Sequence, residues 1–243
     1  MPAYVQSAVG YFPNSGTGPF TAAATLSGVT AGNSIVVATV LRVGVTSVPA
    51  ITVSDGQGTY TDLETATYNY TSNLYLIADL QILSNANAGS HTITSLSGTG
   101  TGQAYGFIVA MEVSGLGPVD VKTSFSATGN CVSGSTASVA GTNEMVISAV
   151  AIQSTTNTTI ESSAGYTAVH IEGDGTANGG WQVKGEVDYL PPQLASGAQE
   201  DTWNHPGPST ITNPSAAVIV VFTSASAANP PYMNYGFQTM QAT

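Results

Sequence analysis

Short strand-like runs separated by turn residues recur along the whole chain, and this feature limits the fold more than any other. Many runs alternate apolar and polar residues, as in HTITSL (91–96), which is typical of a half-buried strand. Others, such as SIVVATVL (34–41) and AAVIVVF (216–222), are continuously apolar and predict strands covered on both faces. The eleven runs are 20–28, 34–43, 50–55, 59–68, 73–83, 91–96, 105–115, 144–153, 166–172, 180–190 and 216–224. They predict an all-β fold, an antiparallel β-sandwich of jelly-roll type.

The last segment differs from the rest and divides the chain into a domain and an arm. Residues 1–225 are predicted to form one β-sandwich domain, and residues 226–243 a C-terminal extended arm that Pro230 and Pro231 separate from the final strand. The arm carries no charge and is rich in aromatic and methionine side chains: Tyr232, Met233, Tyr235, Phe237 and Met240. Such a segment is expected to pack either on its own domain or on a neighbouring subunit.

Charged side chains are scarce, and this excludes several classes of function. They make up 7% of the 243 residues, and the net charge is −11 with only Arg42, Lys122 and Lys184 as fixed cations. Nucleic acid and anionic membrane surfaces are excluded as partners because both need clustered Lys or Arg. No apolar run is long enough for a membrane helix, and the N-terminus does not read as a signal peptide. A surface with few long side chains loses little entropy when buried, which favours packing against neighbours.

No catalytic motif stands out, so the chain is not predicted to be an enzyme. The single cysteine, Cys131, lies among small residues, as a buried filler would. There is no G-x-S-x-G elbow, and the three histidines suggest no triad. Six carboxylates between 172 and 201 could supply the pair that a glycosidase needs, but nothing selects two of them. A carbohydrate-active enzyme is therefore a third hypothesis, behind structural and binding roles.

Two stretches hold candidate metal ligands, and each has a simpler interpretation. Asp55 and Asp62 flank two glycines in SDGQGTYTD, which fits either a Ca²⁺ site or a tight turn in which Asp55 bonds its own backbone. His170, Glu172 and Asp174 alternate along one strand, which fits either a metal-binding face or a polar edge. No other cofactor is predicted.

Aromatic and acidic residues group between 181 and 205, and this is a pattern used for sugar recognition. Trp181, Trp203 and Tyr189 could stack on a pyranose ring while Asp201 and His205 bond its hydroxyls. The alternative is that the tryptophans anchor a long loop to the core.

The order of short motifs resembles a bacterial and phage family of β-sandwich surface modules. The matching segments are YVQS (4–7), TAGNSIVVATV (30–40), ITVSDGQGTYT (51–61), MEVSGLGPVDV (111–121), GTNEMVISAV (141–150) and AAVIVVF (216–222). The resemblance implies an extracellular or virion-surface module and transfers no catalytic residue. Residues 186–211 and the arm depart from the family pattern.

Together these observations predict a structural or assembly protein that acts through subunit contacts. Its partners would be copies of itself or other virion or surface proteins, as in a phage decoration or fibre protein or an extracellular filament subunit. The alternative is a carbohydrate-binding module or lectin-like adhesin that binds glycans through its loop tryptophans.

Overall fold

The all-β prediction is confirmed by a computed structural model, which describes residues 1–13, 18–71, 73–98, 102–129, 131–139, 143–153, 160–172, 183–193, 196–204 and 213–225. The strands are β1 (Ala3–Tyr11), β2 (Phe20–Val29), β3 (Ser34–Gly44), β4 (Ile51–Ser54), β5 (Thr61–Thr71), β6 (Leu74–Leu83), β7 (Gly89–Ser97), β8 (Ala104–Ser114), β9 (Leu116–Thr128), β10 (Glu144–Ile152), β11 (Thr167–Glu172), β12 (Lys184–Gln193) and β13 (Pro214–Ser224). Each of the eleven predicted runs overlaps a strand over its described residues, and β1 and β9 are additional. No helix in these ranges could cross a membrane.

The strands form three antiparallel sheets. The central sheet has the order β1-β8-β3-β6-β5, the small sheet β2-β7-β4, and the flanking sheet β11-β12-β10-β13-β9. The predicted arm, residues 226–243, lies outside the described residues.

The central sheet is covered on both faces, which explains its continuously apolar strands. Along β3, Val36, Ala38 and Val40 face a core shared with the flanking sheet. Ile35 and Val37, which alternate with them, face a second core shared with the small sheet. Because successive side chains of a strand point to opposite faces, a strand between two cores needs apolar residues at nearly every position.

The outer face of the flanking sheet lies under irregular chain that we call the loop layer, residues 131–139, 160–166 and 196–204. Three isolated β-bridges hold the layer together: Val132 with Thr202, Val139 with Gly197, and Glu161 with Asn204. Its buried side chains pack on the outward residues of β10 and β13. Residues 131–139, which carry no charge, therefore belong to a covering layer, and their small side chains allow close packing on the sheet.

A buried carboxylate ties the start of β3 to the edge of the central sheet. Glu112 on β8 accepts hydrogen bonds from Gln6 Nε2 at 2.6 Å, Thr30 N at 2.9 Å and Asn33 Nδ2 at 2.6 Å. Burial alone would raise the pKa of Glu112, but these hydrogen bonds lower it below its ordinary value. The TAGN segment is thus a turn whose N–H donors stabilise the ionised form of a buried acid.

Candidate functional site

Trp203, the first candidate for sugar stacking, is a core residue of the loop layer. Its side chain is 1% exposed and packs with Cys131, Ile160 and Val150. Its indole Nε1 donates to Asp188 Oδ2 at 2.9 Å, and its backbone N donates to the Cys131 carbonyl at 2.9 Å. A buried indole presents no open face to a sugar, so its placement agrees with the alternative in which tryptophan anchors the loop.

The other predicted sugar ligands do not converge on Trp203. Tyr189 lies on the opposite side of β12, facing the first core, where it stacks on Tyr4 at 5.2 Å between ring centroids. Asp201 does lie close to Trp203, because both side chains lie beside the buried carboxyl group of Asp188. Trp181 and His205 lie outside the described residues, as do the arm residues Tyr232 to Met240.

Three carboxyl groups meet beneath the loop layer. Glu186 and Asp188 alternate along β12 and face outward, because Val187 between them points into the first core. Asp201 reaches them from the loop layer and accepts from Ser148 Oγ at 2.7 Å and Ser163 N at 3.0 Å. All three side chains are at most 1% exposed.

This cluster holds protons at neutral pH. Burial and the charge of Asp188 raise the pKa of Glu186 to about 9 and the pKa of Asp201 to about 7. Burial also raises the pKa of Asp188. Glu186 Oε2 and Asp188 Oδ1 are buried oxygens without a hydrogen-bond donor among the described residues, and the two carboxyl groups lie close enough to bond each other. A protonated carboxyl donating to its neighbour is the arrangement that satisfies both oxygens.

Cys131 lies beside this cluster and is buried. Its side chain is 3% exposed, and burial raises the pKa of the thiol to about 12. A thiol that stays protonated is a poor nucleophile, so Cys131 acts as a small core residue.

Asp55 is the centre of a turn. Its Oδ1 accepts from Gln57 N at 2.8 Å and Gly58 N at 3.2 Å, while its Oδ2 lies 2.6 Å from His91 Nδ1. Burial alone would raise the pKa of Asp55, but the bonds from His91, Gln57 and Tyr60 lower it. This agrees with the turn alternative. No group of three potential metal ligands forms among the residues that the structure describes.

His170 and Glu172 lie near each other on β11. Their Nε2 and Oε2 atoms are 3.6 Å apart, and the imidazole packs edge-on to Phe107 with 4.7 Å between ring centroids. Burial lowers the pKa of His170. The third residue of the predicted metal-binding face, Asp174, is outside the described ranges.

A pocket of about 330 Å³ opens beside β4 and was not predicted. It exists because the chain leaves the small sheet after β4, so that β5 pairs with β6 in the central sheet. The lining residues are Pro49, Ala50, Ile51, Thr52, Val53, Tyr60, Asp62, Thr65, Asp79 and Gln81. Asp62, one of the two predicted Ca²⁺ ligands, therefore faces this pocket rather than sharing a site with Asp55.

Two buried polar side chains form one wall of this pocket. Asp79 is 1% exposed and accepts from Thr65 Oγ1 at 2.6 Å and Gln81 Nε2 at 3.0 Å. Burial raises the pKa of Asp79 to about 7. The signal was present in the sequence, since Asp79 and Gln81 are the polar residues of the apolar run LYLIADLQIL and lie two positions apart on one face.

The outer face of the small sheet is open and carries no ionisable side chain. Its outward residues are Thr21, Ala23, Thr25, Ser27, Thr52, Ser54, Ser90, Thr92, Thr94 and Leu96. Leu96 is 38% exposed, and the hydroxyls of Thr25 and Thr92 lie 3.2 Å apart across two strands. We call this surface the threonine face.

No family model, curated protein or solved structure matches this chain, so the resemblance to surface modules is still a prediction.

Proposed function

We propose that this chain is a non-enzymatic structural or assembly protein of a virion or cell surface, acting through contacts between its own copies. The observation that carries this proposal is the threonine face, an open sheet surface without a single ionisable group in a chain of net charge −11.

The charge of the chain makes this face suitable for self-association. Two copies that each carry −11 repel one another, and this repulsion is smallest where no charges are brought together. Among the three cations, Lys184 is buried and Arg42 is partly buried and bonded to Gln153, so neither can neutralise the acids of a neighbour. Lys122 is exposed but already paired with Glu64 at 3.2 Å.

The side chains of the threonine face also suit a tight contact. Thr, Ser and Ala lose little rotamer entropy when they are buried, and their short side chains allow two sheets to approach closely. Leu96 supplies an apolar anchor on the middle strand, near one end of the face, between Thr21 and Thr52 on the neighbouring strands. Partly buried hydroxyls can bond across the contact.

We further propose that β1–β8 form a jelly roll. The orders β1-β8-β3-β6 and β2-β7-β4 support this, because two interleaved Greek keys of eight strands give these neighbours. Strand β5 departs from the jelly-roll pattern. In a jelly roll it would pair with β4 and extend the small sheet, but here it pairs with β6 in the central sheet. Jelly rolls build both viral capsids and lectins, which agrees with either role proposed for this chain.

Substituting Leu96, the apolar residue of the threonine face, tests the proposal. We expect Leu96→Lys to weaken self-association at least about tenfold, because a desolvated ammonium without a partner opposes burial. Phe125→Lys is the matched control, since Phe125 on β9 has the same 38% exposure but lies on the flanking sheet.

Association constants from analytical ultracentrifugation would compare the two variants with the wild type. Equal association of all three proteins would contradict the role of this face. A truncated variant tests the arm separately: removing residues 227–243 is predicted to weaken assembly and to leave the fold of the domain intact.

A carbohydrate-binding role is the second candidate. The pocket beside β4 favours it, whereas the buried Trp203 does not.

A further inference from the structure

We propose that the pocket beside β4 binds one unit of a neutral, hydroxyl-rich ligand, such as a single sugar ring. This inference deepens the second candidate function and gives it a new location. It is independent of assembly, because the pocket residues other than Thr52 lie off the threonine face.

The size and walls of the pocket fit one ring. A volume of about 330 Å³ is at the lower end of small-molecule sites, which span roughly 300 to 1,000 Å³. Pro49, Ile51 and Val53 form an apolar wall along β4. Asp79 and Gln81 supply polar groups from β6, so a ligand with an apolar face and polar edges is matched on both sides.

The charges of the pocket exclude anionic ligands. Its lining contains Asp62 and Asp79 and no lysine or arginine. A phosphate, sulfate or carboxylate would bring a negative charge against these carboxyl groups without a cation to pair it. Hydroxyl groups can instead donate to carboxylate oxygens and accept from threonine hydroxyls, so they fit the same lining.

A neutral ligand fits better than a cationic one because of how Asp79 is held. Its two oxygens already accept from Thr65 and Gln81, and the group is 1% exposed. An ammonium ion would have to compete with these donors and lose its own water. Asp62 is exposed, so solvent screens its charge.

The outer edge of β4, which is bridged only at Ser54, adds a backbone donor to the site. Gln81 Nε2 donates to the Ile51 carbonyl at 3.0 Å, which shows that Ile51 directs this oxygen away from the paired strand β7. In an antiparallel ladder every second residue directs its N–H and C=O to the same side, so the Val53 N–H points to this edge, while the bridge between Ser54 and Thr59 occupies the Val53 carbonyl. The site therefore holds donors as well as acceptors, as recognition of a polyol requires.

An NMR titration tests this inference. ¹⁵N-labelled full-length protein would be titrated with glucose, galactose, mannose and N-acetylglucosamine, each to about 50 mM, a range suited to weak binding of small ligands. Ethylammonium chloride is the cationic comparison. We expect saturable shifts for at least one sugar at Thr52, Asp62, Thr65 and Gln81, and none with ethylammonium.

A pair of matched variants makes the result specific. Asp62→Asn should weaken sugar binding about tenfold, because it removes a charged hydrogen-bond acceptor. Asp120→Asn on β9 removes an exposed carboxylate elsewhere and should leave binding unchanged. Four results would each overturn the inference: no saturable shift with any sugar, shifts that map away from the pocket, binding of ethylammonium instead, or equal affinity of Asp62→Asn and wild type. Assembly measured on the same samples shows separately whether the first proposal holds.

Discussion

Replacing Glu186 with glutamine should remove much of the pH dependence of stability. The folded protein keeps the Glu186 carboxyl protonated, with a pKa of about 9, whereas the unfolded chain ionises near 4.5. Between these pH values the folded state binds more protons than the unfolded state. The contribution of Glu186 to stability is therefore complete below pH 4.5 and is lost as the pH rises toward 9. Each pH unit in this window costs about 1.4 kcal/mol per proton, or about 4 kcal/mol from pH 5 to pH 8.

Glutamine has the shape of glutamate and carries a permanent N–H donor. In Glu186→Gln its amide can donate to Asp188, the bond that otherwise requires a proton. Asp79 and Asp201 shift in the same direction, with pKa values of about 7, so the variant should still lose some stability as the pH rises.

Urea unfolding of the wild type and the variant at pH 5, 6, 7 and 8 measures this effect. We expect the free energy of unfolding to fall by about 3 to 4 kcal/mol more in the wild type than in Glu186→Gln over that range. Asp120→Asn is the control for replacing a carboxyl group with an amide at an exposed position, and its curve should run parallel to the wild type. Parallel curves for wild type and Glu186→Gln would refute the buried, proton-holding acid pair.

Two further predictions concern packing. Gly106→Ala should destabilise the fold by at least about 3 kcal/mol, because the φ of Gly106 is +144° and an added Cβ would lie 2.0 Å from the Val40 carbonyl oxygen. Gly197→Ala is the control for backbone strain alone, since Gly197 has a φ of +135° but an added Cβ would have no atom within 4 Å. Equal losses of unfolding free energy in urea would exclude the steric cause. Trp203→Ala should lower the free energy of unfolding by about 3 to 5 kcal/mol, because it opens a cavity and leaves Asp188 without its indole donor. The same cavity should expose Cys131 to thiol reagents. Unchanged thiol reactivity would show that Trp203 does not hold the loop layer closed.

The local structure was largely predictable because period and turn chemistry are local properties. HTITSL reads as a half-buried strand from its alternation alone, and β7 has that burial pattern. The strand β9 was missed because Gly117 and Pro118 lie near its start and polar residues follow, a composition that a strand at the edge of a sheet tolerates.

The arrangement of the site was less predictable because it depends on contacts between distant residues. Nothing in the sequence places Trp203 against Asp188 or shows that Tyr189 points the other way before the orientation of β12 is known. The pocket depends on β5 leaving β4 for β6, a choice of pairing that the turn between them does not encode. Asp79 is the one part of the pocket that the sequence could have indicated, because a carboxylate inside an apolar run needs a partner or a function.

Sedimentation of the wild-type protein across concentration and salt tests the central claim most directly. If copies meet through an uncharged face while their net charge of −11 opposes contact, the mass should rise in whole multiples of the chain with increasing concentration. Raising the salt from about 0.01 to 0.15 M should strengthen this association, because screening reduces repulsion while the contact itself has no ion pairs to weaken. A single-chain mass at every concentration and salt, or an association that salt weakens, would contradict the account.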